Sequence, residues 1–146
     1  MKKIINKPYL YFFALIPLYI TIGLIKRNVP IDINITYIYY LINVDFWCYV
    51  SAVYFSLIGI NYVALDWAKK CPKKWLTISH IILQTLAIIP FIYAVLRLDE
   101  NGLLKGNQFL GILNLEAVLI FSFFLFLLSI FVHLVNFFVS LLLKRE

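Results

Sequence analysis

The chain has 146 residues, of which 64% are hydrophobic and only 14% are charged, and its mean hydropathy is +0.94. Soluble domains are about half apolar and about a quarter charged, because polar side chains must cover a water-facing surface. The composition therefore excludes an ordinary soluble domain and predicts an integral membrane protein whose first partner is the lipid bilayer.

Four uncharged runs have the length needed to cross a bilayer. A hydrocarbon core about 30 Å thick takes about 20 helical residues, and these runs lack the alternating polarity of barrel strands. We predict membrane-spanning helices at residues 8–25, 46–65, 75–96 and 117–143. The first run lacks a small-x-small cleavage site, so we expect it to be retained. The predicted fold is all-α, an integral membrane four-helix bundle that forms a single domain over residues 1–146.

The connections between the runs differ in pattern. Residues 26–45 alternate polar and apolar in their first half and carry tyrosines in their second half, which predicts an extended segment along the membrane surface. Residues 98–116 begin with a turn signal at residues 99–102 and predict an irregular, hairpin-like connection. The short connection between the second and third runs predicts that these two helices are antiparallel neighbours.

Basic residues determine the predicted orientation. With the N-terminus inside, the inner segments hold three, four and two Lys or Arg, which is nine of the thirteen. Because Lys and Arg concentrate in cytoplasmic flanks, we predict that the N- and C-termini are both cytoplasmic in a multi-pass protein of the cell inner (plasma) membrane. The net charge of +6 then reflects topology and attraction to anionic lipid, and predicts no binding of nucleic acid.

The two histidines, His80 and His133, both lie within predicted spans. Ionisable groups at membrane depth are costly and often functional, so the pair is a candidate cofactor-binding site. The two lie roughly 8 and 15 Å from the cytoplasmic face at about 1.5 Å per residue, which allows them to meet and to ligate a haem iron or a metal. The alternative is a pair of neutral histidines hydrogen-bonded between helices.

No other pattern of catalytic or metal-binding residues occurs in the sequence. It has no phosphate-binding glycine loop, no paired carboxylates within a span and no Cys and His cluster with metal spacing. Cys48 and Cys71 fall at opposite membrane faces, which excludes a disulfide between them. We expect the amides of Asn61, Gln84 and Asn136 to bond between helices. We therefore predict no catalytic residues, no metal ligands and no enzymatic activity.

The segment from Asp32 to Phe46 has the sequence D-I-N-I-T-Y-I-Y-Y-L-I-N-V-D-F. It resembles the segment that opens the tenth helix of haem-copper (cytochrome c) oxidase subunit I, whose pattern is D-I-x-L-H-D-T-Y-[FY]-V-V-[AS]-H-F-H. The resemblance extends over roughly residues 31–143, to the last three helices of the family, through Phe55, Gly59, Trp75, His80, Asn136 and Ser140.

The functional residues of that family are missing at the matching positions. The histidine and aspartate of its magnesium site fall on Thr36 and Tyr37, and two haem-ligating histidines fall on Val44 and Phe46. The resemblance therefore implies a small, degenerate member without a cofactor. It implies a noncatalytic structural or assembly partner in a membrane complex, beside other membrane-protein subunits.

Two alternatives to a structural role follow from the polar residues within the spans. One is a membrane haem-binding electron carrier that uses His80 and His133 as a new axial pair. The other is a small transporter or channel, which requires Asn61, Gln84 and Asn136 to line one water-filled cavity.

The resemblance also predicts how the outer half of the bundle is packed. If a haem once lay beside Val44 and Phe46, large side chains should fill the space that it left, because packed interiors do not tolerate voids. We predict that aromatic side chains of the second and fourth helices fill it. These are Phe46, Trp47, Tyr49, Tyr54, Phe55, Phe121, Phe123, Phe124 and Phe126.

Overall fold

A computed structural model describes residues 7–35, 38–98, 108–109 and 113–142. Within these residues the chain forms four α-helices and two antiparallel pairs of short strands. The helices are α1 (Tyr9–Ile25), α2 (Val44–Trp67), α3 (Lys74–Arg97) and α4 (Leu115–Leu142). The strands are β1 (Pro30–Ile35), β2 (Ile38–Asn43), β3 (Gln108–Phe109) and β4 (Leu113–Asn114).

The helices coincide with the uncharged runs of the sequence. Three of them, α2, α3 and α4, are long and apolar enough to cross a membrane. With 17 residues, α1 is about 26 Å long at 1.5 Å per residue, slightly less than a hydrocarbon core of about 30 Å. The predicted four helices are therefore confirmed, and three of them have the composition and length of membrane spans. The predicted end at residue 143 lies outside the described residues.

The connection between α1 and α2 is a β-hairpin. Strands β1 and β2 pair in an antiparallel register from Pro30 opposite Asn43 to Ile35 opposite Ile38. The Val44 amide donates to the Val29 carbonyl at 2.9 Å, so α2 begins directly where the paired strands end. The predicted extended conformation is confirmed for both strands. The strands also pair with each other, which was not predicted, because pairing gives hydrogen-bond partners to the backbone groups of both.

The connection between α3 and α4 also contains paired strands. Gln108 pairs with Asn114, and Phe109 pairs with Leu113. This pairing agrees with a hairpin-like connection. The predicted turn at residues 99–102 lies outside the described residues.

The four helices pack as two pairs. Close backbone packing joins α1 to α2 and α3 to α4, whereas α2 and α3 have few close backbone contacts. The prediction that α2 and α3 are close neighbours was therefore wrong, because their backbones do not pack closely against each other. Large side chains separate these helices, among them Tyr62, which reaches across to His80.

Glycine permits the close approach of α1 and α2. A Cβ atom on Gly59 would clash with the ring of Phe13, and one on Gly23 would lie 3.1 Å from the ring of Tyr49. Small residues at helix interfaces are typical of bundles in membranes, where van der Waals packing replaces the hydrophobic drive.

The two ends of the bundle differ. The β1–β2 pair marks one end, which we call the hairpin end, and the α2–α3 connection marks the other, which we call the loop end. At the loop end Trp67 and Trp75 are 89% and 66% exposed. Exposed tryptophans beside the lysines of residues 69–74 are typical of a membrane interface.

Candidate functional site

The structure brings His80 and His133 together in the bundle interior. Their ring centroids are 4.9 Å apart and the rings are tilted by 35°. His80 is fully buried and His133 is 3% exposed. The prediction that the two histidines can meet is therefore confirmed, because α3 and α4 run antiparallel and place both side chains near the loop end.

Tyr62 of α2 connects the histidines to the rest of the core. Its hydroxyl lies 2.9 Å from His80 Nδ1, and its ring centroid lies 5.1 Å from that of His133. The same hydroxyl accepts a hydrogen bond from Asn136 Nδ2 at 3.4 Å. If the phenolic O–H donates to His80 Nδ1, the proton of a neutral His80 imidazole lies on Nε2.

Asn136 of α4 uses all of its hydrogen-bonding groups. Nδ2 also donates to Thr77 Oγ1 at 3.0 Å. Oδ1 accepts from the Lys73 backbone amide at 3.0 Å and from Ser140 Oγ at 3.4 Å. Because Lys73 precedes the first turn of α3, Asn136 caps that helix from the neighbouring one. One amide thus joins α2, α3 and α4 near the loop end.

His133 has a different partner on its other side. Asn61 Nδ2 lies 3.3 Å from His133 Nε2, so the imidazole accepts there and keeps its proton on Nδ1. Neither His133 Nδ1 nor His80 Nε2 has a hydrogen-bond partner within the described part of the chain. Each histidine therefore has one ring nitrogen with a hydrogen-bond partner and one without, among the described residues.

One helical turn towards the hairpin end, a second polar layer joins α3 and α4. Ser129 Oγ donates to Gln84 Oε1 at 2.9 Å. Both residues are fully buried. The predicted role of the intramembrane amides as hydrogen-bonded links between helices is confirmed for Asn61, Gln84 and Asn136.

A phenylalanine from α1 covers the histidine pair. The ring of Phe12 stacks on His80 with centroids 4.6 Å apart and lies 5.6 Å from the ring of Tyr62. Phe12 is fully buried. All four helices therefore contribute to the polar cluster, which we define as Tyr62, Thr77, His80, His133 and Asn136 with Phe12 as its cover.

This geometry does not fit a haem between the histidines. Two nitrogens on opposite sides of one iron lie about 4 Å apart when each bond is about 2 Å, and the porphyrin plane must pass between the rings. Each ring centroid lies about 1 Å behind its ligating nitrogen, so the centroids of two such ligands would be about 6 Å apart. The observed 4.9 Å leaves no space for that plane, and Phe12 also stacks on His80 at 4.6 Å. Among the described residues, no group of three His, Cys, Asp or Glu is placed to hold a metal ion.

A cavity of about 320 Å³ lies at the hairpin end, lined by residues of all four helices and of the β1–β2 pair. The predicted aromatic filling of this region was wrong. Phe46, Phe121 and Phe124 are 62%, 63% and 62% exposed. Two aromatic pairs do bridge α2 and α4, with centroids 6.0 Å apart for Trp47 and Phe123 and 4.8 Å apart for Tyr54 and Phe126, yet the space remains open.

The cavity does not provide the polar pathway that a transporter requires. Gln84 contributes to its wall, but Asn61 and Asn136 do not. These two amides bond instead to His133 and to the polar cluster. The described residues therefore do not support a transporter or channel.

Sequence reasoning missed Tyr62, Thr77 and Ser129. The signal that identifies Thr77 and Ser129 is the spacing of small and polar residues along α3 and α4, whereas Tyr62 of α2 carries no such signal. The buried face of α3 carries Thr77, His80, Gln84 and Ala87, and the buried face of α4 carries Ser122, Ser129, His133, Asn136 and Ser140. Spacings of three, four and seven residues place such side chains on one side of a helix, so the two faces could have been read from the sequence.

Comparison of the chain with protein-family models, with curated proteins and with solved structures gives no match. The resemblance to haem-copper oxidase subunit I therefore stays a prediction. Of the two positions that match its haem ligands, Val44 is fully buried and Phe46 is 62% exposed.

Proposed function

We propose that this chain is a noncatalytic, four-span protein that serves as a structural or assembly partner in a membrane complex. The observation that carries the proposal is that the polar groups at membrane depth bond mainly to one another. The Tyr62 hydroxyl bonds both to His80 and to Asn136 and so links three helices, as expected of residues that hold a bundle together. This arrangement supports a role in packing over one in cofactor binding or transport.

The outer face of α4 supports the choice of a partner. Of the residues in its most apolar window only 22% are buried within the chain, against 44% for α2 and 39% for α3. Along this face Phe124, Phe131 and Phe138 follow one another at intervals of seven residues and are 62%, 64% and 53% exposed. We call these three residues the phenylalanine face. A repeat of seven is the spacing at which one helix packs along another.

The test of this function is purification from native membranes in a mild detergent. We expect a membrane-protein partner at a fixed ratio and no Soret absorption. Replacing Phe131 and Phe138 by Ala should remove the partner, because it truncates the phenylalanine face. The matched control replaces Ile82 and Ile89, which are 52% and 59% exposed on α3, and should keep it. Haem at one per chain, or a wild-type protein that purifies without any partner, would contradict the proposal.

The proposed topology places all four helices across the cell inner (plasma) membrane, with the loop end and both termini in the cytoplasm. The lysines at the loop end support this orientation through the positive-inside rule. The lipid bilayer is then the solvent of the outer surface, and nucleic acid is not a partner.

Cys71 provides a native reporter of this orientation. It is exposed in the α2–α3 connection, whereas the other cysteine, Cys48, is buried. We expect a membrane-impermeant maleimide to label Cys71 only after the cells are permeabilised. The control carries Arg27→Cys with Cys71→Ser, because Arg27 is exposed at the hairpin end, and should be labelled in intact cells. Labelling of Cys71 in intact cells would show that the orientation is the reverse of the proposed one.

A further inference from the structure

The cavity at the hairpin end has the size and composition of a small ligand site. Its volume is about 320 Å³, at the lower limit of the range typical of small-molecule pockets. Its wall is almost entirely apolar and is rich in aromatic rings. The rings that matter here belong to Tyr19, Trp47, Phe91 and Phe126.

Ser51, Gln84 and Ser122 interrupt this apolar wall, and Gln84 supplies a buried amide. Gln84 contributes to the wall, and Ser129 donates to its Oε1 at 2.9 Å. The Nε2 group of Gln84 has no hydrogen-bond partner within the described part of the chain. A buried donor without a partner is costly, so a ligand whose acceptor reaches this amide removes an existing penalty.

The cavity borders the outer surface of α4. Ile120, Phe123 and Phe124 belong to its wall, and Phe123 and Phe124 are 43% and 62% exposed. In a membrane these side chains face hydrocarbon. A molecule dissolved in the lipid can therefore reach the cavity without passing through water.

We propose that this cavity binds a lipophilic molecule with a flat ring that carries a carbonyl group, of the class of substituted benzoquinones. The carbonyl oxygen accepts the free hydrogen bond of Gln84 Nε2, and the ring packs among the aromatic side chains of the wall. A lipid acyl tail offers no acceptor and leaves the amide unpartnered.

Trp47 makes binding measurable, because it lies in the cavity wall. The chain has three tryptophans, and the other two, Trp67 and Trp75, lie at the loop end. In a Trp67→Phe, Trp75→Phe background purified in detergent, we expect decylubiquinone to quench Trp47 fluorescence saturably. Decylbenzene, which has the tail and a ring but no carbonyl, should compete at least about fivefold more weakly, which is the effect of one net hydrogen bond.

Two variants test the contact itself. Gln84→Leu should weaken the quinone about fivefold and leave decylbenzene unchanged. Ala87→Leu places a larger side chain in the wall and should weaken both, so it serves even if Gln84→Leu does not fold. The control Asn61→Leu changes an amide outside the cavity and should bind as the parent does.

Three outcomes would overturn the proposal. One is quenching that does not saturate, which indicates partition of the quinone into the micelle. Another is equal binding of the quinone by Gln84→Leu and its parent. The third is equal competition by decylbenzene, which would assign the cavity to a lipid tail.

Discussion

Replacing Asn136 by Leu is expected to lower the free energy of unfolding by about 2–4 kcal/mol. The side chain makes four hydrogen bonds, to Tyr62, Thr77, Ser140 and the Lys73 amide. Hydrogen bonds between membrane helices average about 0.6 kcal/mol each, and the groups left unpaired in a buried site add to the loss. Thermal unfolding in detergent, followed by circular dichroism, measures the change.

The matched control for this prediction is Asn61→Leu. Asn61 is also an amide within a span, but it is only partly buried and makes one hydrogen bond, to His133. We expect a loss of less than about 1 kcal/mol. Equal losses for the two variants would show that Asn136 does not hold the three helices together.

The second large effect is expected for Phe12→Ala, at about 3–5 kcal/mol. Phe12 is fully buried and covers the histidine pair at 4.6 Å from the ring of His80. Truncation leaves a void over buried imidazoles, and the surrounding helices can collapse into it only in part. Chemical unfolding in mixed micelles measures the loss.

Phe131→Ala removes the same ring from a position that is 64% exposed on α4. In the isolated protein it should unfold as the parent does, because micelle or lipid surrounds this side chain in either case. If Phe12→Ala costs no more than Phe131→Ala, the stacked cover over His80 does not contribute to stability.

The positions of the helices could be predicted because membrane crossing requires long uncharged runs, and charges end those runs. The meeting of His80 and His133 could be predicted as well, because two residues at similar depth on antiparallel helices can reach each other. What depth does not give is the direction in which a side chain points. Tyr62 therefore looked like any other aromatic residue of α2.

The prediction that the phenylalanines point into the bundle was wrong for a related reason. Burial of these rings was expected because they were to fill the space left by a lost haem, but in lipid an exposed ring costs nothing and helices associate through small and polar residues. Helix α4 accordingly buries Ser129, His133 and Asn136 and exposes Phe124 and Phe131. The helix pairs likewise depend on residue size, which the length of a connection does not reveal.

The pairing of α3 with α4 has a consequence for biosynthesis. Before α4 is made, Gln84 lacks the bond from Ser129, and Thr77 and the Lys73 amide lack their bonds to Asn136. A lone helix with these groups enters hydrocarbon at a cost, since unsatisfied polar groups in lipid are penalised. The glycine contacts of α1 and α2 need neither α3 nor α4, although Asn61 and Tyr62 of α2 gain their partners only when those helices arrive. We therefore expect α1 and α2 to enter the membrane as a first helix pair, and α3 and α4 to gain more by entering together.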